Sequence, residues 1–138
     1  MSVTWYLPPA PVVFKVSGKD ARRYLNNRLS NDIRTLTAGS SLKAGALTPQ
    51  GRVEGLYTLF VDTDETFYLV SSGGERQPLF ASLSRYLVAD RVSIADCSSD
   101  VVAGHLSDDA VPSFGGLHVL KAPSRRVSDS GVDFLVLG

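Results

Sequence analysis

Cysteine is almost absent from this chain, since Cys97 is the single cysteine among its 138 residues. One thiol cannot form an intrachain disulfide and cannot complete a cysteine-based metal site. The two histidines, His105 and His118, sit singly on strand-like segments, and the sequence predicts no metal site. A chain of this length buries roughly two-thirds of its unfolded surface, and one hydrophobic core is therefore expected to suffice.

The chain also lacks an excess of charge and a long apolar run. Its 14 basic and 14 acidic side chains cancel, and a neutral domain has no long-range field that gathers phosphate backbones, so direct nucleic-acid binding is not expected. No run approaches the roughly 20 apolar residues that span a bilayer. The first residues lack the basic and apolar regions of a signal peptide. These absences predict a cytoplasmic protein without a membrane partner.

The first half of the chain begins with a strand and a helix. Residues 12–16 are β-branched or aromatic apart from one lysine, and they predict a strand. Ser17 and Asp20 have the spacing of a capping box, in which each side chain accepts from the other residue's amide. The helix predicted to follow carries an apolar stripe at Ala21, Tyr24, Leu25 and Leu29.

A hairpin pattern comes next. Residues 42–47 and 53–61 predict two strands joined by a Pro-Gln-Gly turn at 49–51. The second strand is apolar on both faces, which is typical of a central strand. Its two sets of apolar residues are Tyr57, Leu59 and Val61 on one face, and Leu56 and Phe60 on the other. Residues 67–70 predict the returning strand of a further hairpin.

The remaining pattern completes an α+β fold. A second helix is predicted to open at residues 71–74, with Pro78 in its first turn and with an apolar stripe at Leu79, Leu83, Tyr86 and Leu87. Residues 92–95 predict another strand. This order is typical of a ferredoxin-like split βαβ sandwich. Residues 101–103, 117–120 and 134–137 predict extra β-strands at the carboxy-terminal end, so we expect a subdomain at 1–96 and a β-rich extension at 97–138, the incomplete start of a further subdomain.

Two polar clusters are candidates for a binding site. One closes the first helix at residues 30–32, and the other follows the turn with Gln50, Arg52 and Glu54. Amide, carboxylate and guanidinium groups can recognise a polar heterocycle through paired hydrogen bonds, and Tyr57 could add flat apolar area. The alternative is structural: asparagine and aspartate end the helix, Gln-Gly forms a turn, and Arg52 lies in solvent.

Three motifs resemble one known family. The segment VSGKDARRYLNNRLSND at 16–32 resembles the pattern "v.G.Da..fL.n.lTnD", LTPQGRV at 47–53 resembles "lnpqGRv", and LSRYLVADRVSI at 83–94 resembles "L.ryi...dV.i.d". In this order they resemble the amino-terminal part of the folate-binding YgfZ/GcvT family. That family includes the glycine-cleavage T protein, an aminomethyltransferase, and YgfZ-type proteins linked to iron–sulfur cluster maintenance and tRNA modification.

The resemblance implies a tetrahydrofolate-binding protein or a fragment of one. Family members are roughly twice this length or more, so the remainder of the same polypeptide or a protein partner is expected to complete the folate channel. The Lys-Gly-Cys-x-x-Gly-Gln-Glu segment of the YgfZ type is absent here. The implied folate contacts are Asn31, Asp32, Gln50, Arg52, Glu54 and Tyr57.

Three functions follow from the resemblance and the predicted fold. Gln50-Gly51-Arg52 is similar to the YgfZ branch, whereas aminomethyltransferases carry a Gly-Gly-x-x-Asp-Asp run in which Glu54 could match the first acid and Gly55 replaces the second. The first expectation is therefore a YgfZ-like folate-binding protein. The second is a folate-dependent aminomethyltransferase with Glu54 as the candidate catalytic acid or base. The third is a ferredoxin-like protein-interaction domain that has lost the folate pocket and pairs through its sheet edges.

Overall fold

A computed structural model describes residues 5–6, 12–71, 73–88, 91–99, 101–106, 118–123 and 132–137. These residues form two helices and nine strands. The helices are α1 (Ala21–Arg28) and α2 (Arg76–Ser84). The strands are β1 (Trp5–Tyr6), β2 (Val13–Ser17), β3 (Ser41–Leu47), β4 (Val53–Thr63), β5 (Thr66–Ser71), β6 (Ser93–Asp96), β7 (Val101–Leu106), β8 (His118–Pro123) and β9 (Val132–Leu137). Neither helix is long and apolar enough to cross a bilayer.

Five strands form one sheet in the order β3-β4-β5-β2-β6, and every neighbouring pair is antiparallel. β5 and β6 both run antiparallel to β2, which lies between them, so the β5-α2-β6 connection is a split βαβ unit. β4 is paired on both sides, as its two-sided apolar pattern predicted. The predicted α+β class is thus confirmed.

The two faces of this sheet bury different sets of side chains. On the helix side, Tyr57, Leu59 and Val61 of β4 belong to a core cluster that also contains Leu25 and Leu83 of the two helices. On the other side, Phe60 belongs to a second cluster. The alternation predicted for β4 is confirmed, with one exception. Leu56 is 57% exposed because it lies near the turn end of the strand.

A second sheet covers that other side of the first. Its strand order is β1-β7-β9-β8, so the extra carboxy-terminal strands are confirmed. Leu120 of β8 and Leu135 of β9 pack in one cluster with Val13, Phe60 and Tyr68 of the first sheet. The described chain therefore has three layers: helices, five-stranded sheet and second sheet. The division at residues 96 and 97 stays a prediction.

The capping box predicted at the start of α1 is wrong. Asp20 is the N-cap residue and its side chain makes no capping hydrogen bond. Ser17 is the last residue of β2, paired with Thr66 and Ser93, so its extended position in the sheet prevents it from capping the helix. The Asp20 carboxylate instead accepts from the Arg91 amide at 2.9 Å.

The second helix begins later than its pattern predicted. Ser71 is the last residue of β5 and pairs with Tyr57, so the helix starts only at Arg76. Pro78 is its third residue and lies in the first turn, as expected. The predicted stripe continues past the helix end, because Tyr86 and Leu87 follow Ser84 and still pack against the core.

Candidate functional site

An irregularity in the β3–β4 pairing positions Glu54. Leu47 pairs with Val53, whereas Ala46 pairs with Gly55, so Glu54 is an extra residue without a partner in β3. Such a β-bulge redirects a side chain out of the regular alternation of a strand. The Glu54 side chain consequently contacts the two helices.

The Glu54 carboxylate has three partners. Its Oε1 atom accepts from the Ser82 hydroxyl at 2.9 Å and lies 3.6 Å from Nη2 of Arg28. Its Oε2 atom pairs with Nη1 of Arg85 at 3.0 Å. Both carboxylate oxygens are therefore engaged by groups from α1 and from the end of α2.

Arg28 occupies the centre of this arrangement. Its side chain is only 5% exposed, and its terminal nitrogens donate to the backbone carbonyls of Leu47 and Ser82, the latter at 3.0 Å. Its guanidinium carbon lies 4.7 Å from the centre of the Tyr86 ring, a favourable cation–π geometry. We call Arg28, Glu54, Ser82, Arg85 and Tyr86 the Glu54 cluster.

The cluster holds Glu54 in its ionised form. The hydrogen bond from Ser82 lowers the pKa of Glu54 most, and the charges of Arg85 and Arg28 lower it further against the opposing effect of burial. A carboxylate with a lowered pKa and two engaged oxygens is a weak proton acceptor. The geometry therefore suits an anchoring carboxylate better than a general base.

Tyr57 and Gly55 lie beside the cluster. Burial raises the pKa of Tyr57 to about 12, and its ring centre lies 6.4 Å from that of Phe14. A Cβ atom built on Gly55 would lie 3.0 Å from Leu79 Cδ2 and 3.0 Å from Tyr57 Cε2. The position at which the aminomethyltransferase pattern has its second acid is thus crowded by Tyr57 and Leu79.

The β3–β4 turn presents two of the predicted contacts to solvent. The Thr48 amide donates to the Arg52 carbonyl at 2.9 Å, and the Arg52 amide donates to the Thr48 hydroxyl at 3.1 Å. Gly51 has φ of 84°, a left-handed conformation that favours glycine. The side chains of Gln50 and Arg52 are exposed.

The remaining predicted contacts have other partners. The Asn31 amide nitrogen donates to the Lys43 carbonyl at 2.6 Å. Asp32 pairs with Arg34 at 2.8 Å, and the hydrogen bonds from Arg34 lower the pKa of Asp32 to about 2. The described contacts therefore divide the six predicted residues: Glu54 lies in the cluster beside Tyr57, Gln50 and Arg52 are exposed at the turn, Asn31 contacts the edge strand β3, and Asp32 pairs with Arg34.

Sequence reasoning missed the partners of Glu54. Arg28 follows Ala21, Tyr24 and Leu25 at helical spacing, and all four are buried on the same face of α1. That stripe was a usable signal, because an arginine within an apolar stripe needs a buried partner. Ser82 and Arg85 carried no comparable signal, since their role depends on how α2 packs against β4.

Sequence comparison finds an uncharacterized relative of this chain. No family model matches the chain. Over 81 residues it is 28% identical to an uncharacterized protein of Haemophilus influenzae, a match that covers 59% of this chain and 29% of that protein.

Two solved structures share the architecture. Glycine cleavage system aminomethyltransferase T from Bartonella henselae matches with a TM-score of 0.72 and 17% identity, over 97% of this chain and 41% of that chain. Heterotetrameric sarcosine oxidase from Corynebacterium sp. U-96, in complex with pyrrole 2-carboxylate, matches with a TM-score of 0.58 and 14% identity, over 96% of this chain and 74% of that chain.

The chain therefore has a fold of the aminomethyltransferase T type. It spans less than half of that enzyme's chain and less than a third of the Haemophilus relative. At these identities the likeness establishes the fold alone.

Proposed function

We propose that this chain is the tetrahydrofolate-binding part of a protein of the aminomethyltransferase T type. The observation that carries the proposal is the structural match to aminomethyltransferase T over 97% of the chain. The three ordered sequence motifs also support it. Because the chain covers 41% of that structure, we propose that the remainder of the polypeptide or a protein partner completes the folate site.

Only part of the predicted contact set fits a folate. Gln50 and Arg52 are exposed on one turn, and their amide and guanidinium groups could recognise the polar edge of a pterin. Glu54 fits an anchoring role behind this turn, since its oxygens are engaged by Ser82 and two arginines. We propose Gln50 and Arg52 as wall residues of the site and assign no proton transfer to Glu54.

The binding proposal is tested by calorimetric titration of tetrahydrofolate into the protein encoded by the full reading frame. We expect saturable binding that Arg52→Gln weakens about fivefold or more, because a charge-assisted hydrogen bond is worth about 1 kcal/mol or more. Lys19→Gln is the matched control, since Lys19 is an exposed cation on another loop. Absence of both binding heat and a thermal shift would refute the proposal.

Aminomethyl transfer is the candidate reaction, favoured by the match to aminomethyltransferase T. A carboxylate that acts in the reaction should lower turnover when replaced, and Glu54→Gln tests this directly. Unchanged tetrahydrofolate-dependent turnover with reduced thermal stability would support the anchoring role. Only the sequence supports the YgfZ-type role in iron–sulfur maintenance and tRNA modification. The protein-interaction alternative also rests on the sequence alone.

A further inference from the structure

A groove lies between α2 and the end of the edge strand β6, and its lining includes none of the residues of the Glu54 cluster. Its volume is about 460 Å³, which falls within the roughly 300–1,000 Å³ typical of small-molecule sites. The groove is lined by Arg76, Gln77, Phe80, Ala81 and Asp96.

The floor of the groove is apolar. Phe80 is half-buried, and its ring makes an edge contact with Phe14 at 5.7 Å between ring centres and 63° between planes. This contact packs the ring against Phe14 in the core, and Phe80 also lines the groove. Ala81 is exposed beside it, and its small side chain leaves room for a flat ligand over the phenyl ring.

Arg76 is held at the side of the groove by an ion pair with Asp96, whose carboxylate is itself hydrogen-bonded. Its Nε atom pairs with Oδ2 of Asp96 at 3.1 Å. The other Asp96 oxygen accepts from the Ser98 hydroxyl at 2.6 Å, and Ser98, which is buried, accepts from the Val13 amide at 2.8 Å. The guanidinium is thereby connected to the backbone of β2.

This arrangement leaves the terminal nitrogens of Arg76 available. Asp96 contacts only the Nε atom of Arg76. Among the described residues, no other group contacts the guanidinium. Two terminal guanidinium nitrogens can bind a carboxylate in a bidentate arrangement with defined geometry. The adjacent apolar floor selects for a ligand with a flat apolar body.

We propose that this groove binds a small carboxylate with a planar apolar body, the ring lying over Phe80 and Ala81 and the carboxylate on the terminal nitrogens of Arg76. The site is separate from the proposed folate contacts at the β3–β4 turn. It goes beyond the proposed function and does not depend on it.

The test uses amide chemical shifts of the isotope-labelled protein during titration with benzoate. We expect a saturable response with a dissociation constant on the order of 1 mM, as for other ligands of this size, centred on Gln77, Ala81 and Asp96. Benzamide lacks the charge and acetate lacks the ring, so each should bind at least fivefold more weakly.

Two variants and one control identify the contacts. Arg76→Gln should weaken benzoate binding at least fivefold, and Ala81→Phe should block it by filling the groove. Arg23→Gln, at an exposed arginine that also pairs with an aspartate, should bind as the unmodified protein does. Shifts that map elsewhere, or equal binding by the Arg76 and Arg23 variants, would show that the Arg76–Asp96 pair only connects α2 to β6 and would overturn the proposal.

Discussion

At the residue scale, the contacts of Arg28 explain why the half-buried Glu54 keeps its charge. The arginine supplies a partner from α1, Arg85 supplies one from beyond α2, and Ser82 donates a hydrogen bond. Removing one member of a buried ion pair leaves the other charge uncompensated, which costs more than the intact pair contributes. The two arginines differ in exposure, at 5% and 51% of their side chains, so their replacement should have unequal effects.

Arg28→Met is expected to lower the free energy of unfolding by about 2–4 kcal/mol, because Glu54 loses its buried partner and Leu47 and Ser82 lose a donor to their carbonyls. Arg85→Met should lower the free energy of unfolding by less than about 1 kcal/mol, since exposed ion pairs contribute little to stability. Urea denaturation of both variants at pH 7 measures the difference. Equal losses would contradict a central role for Arg28.

At the element scale, the register shift in the β3–β4 pairing places Glu54, which follows the turn, in contact with the two helices. The extra residue directs Glu54 to the helix side, and Gly55 then lies directly against Leu79 and Tyr57. Alternation of apolar residues predicts a regular strand, and it does not reveal where one residue is inserted. A hydrophobic pattern specifies faces, whereas the bulge depends on the register against β3.

Gly55→Ala is expected to destabilise the protein by about 1–3 kcal/mol, because the added methyl group crowds two packed side chains. Gly73→Ala is the control, since a Cβ atom there has no neighbour within 4 Å; its effect should stay within about 0.5 kcal/mol. Thermal and urea unfolding of the two variants provide the comparison. A Gly55 variant as stable as the Gly73 variant would show that Tyr57 and Leu79 move without cost.

At the scale of the whole molecule, the second sheet and the five-stranded sheet share one buried cluster. Leu135 of β9 is fully buried and packs with Phe60 and Tyr68 of the central strands. We propose that residues 1–96 and 97–138, although separable as subdomains by pattern, unfold together because neither can bury this cluster alone.

Leu135→Ala is expected to lower the stability of the whole chain by about 2–5 kcal/mol while keeping a single transition. Val88→Ala is the control, because Val88 is 93% exposed and its truncation should change stability by no more than about 0.5 kcal/mol. Calorimetry distinguishes the outcomes. A second transition, with only one of the two shifted, would indicate independent subdomains.

The sequence by itself determined the order of the elements from β2 onward, the α+β class and the two apolar faces of β4, because these depend on local periodicity and on turn residues. It did not predict β1, which is a strand only through its pairing with β7. It also indicated Glu54 and Gln50–Arg52 as polar positions around one turn. Only the tertiary structure decided that Arg28, Ser82 and Arg85 surround Glu54, and that Ser17 ends a strand and does not cap a helix. Those outcomes depend on contacts between residues far apart in the chain, such as Glu54 with Ser82 and Asp20 with Arg91, which local pattern does not encode.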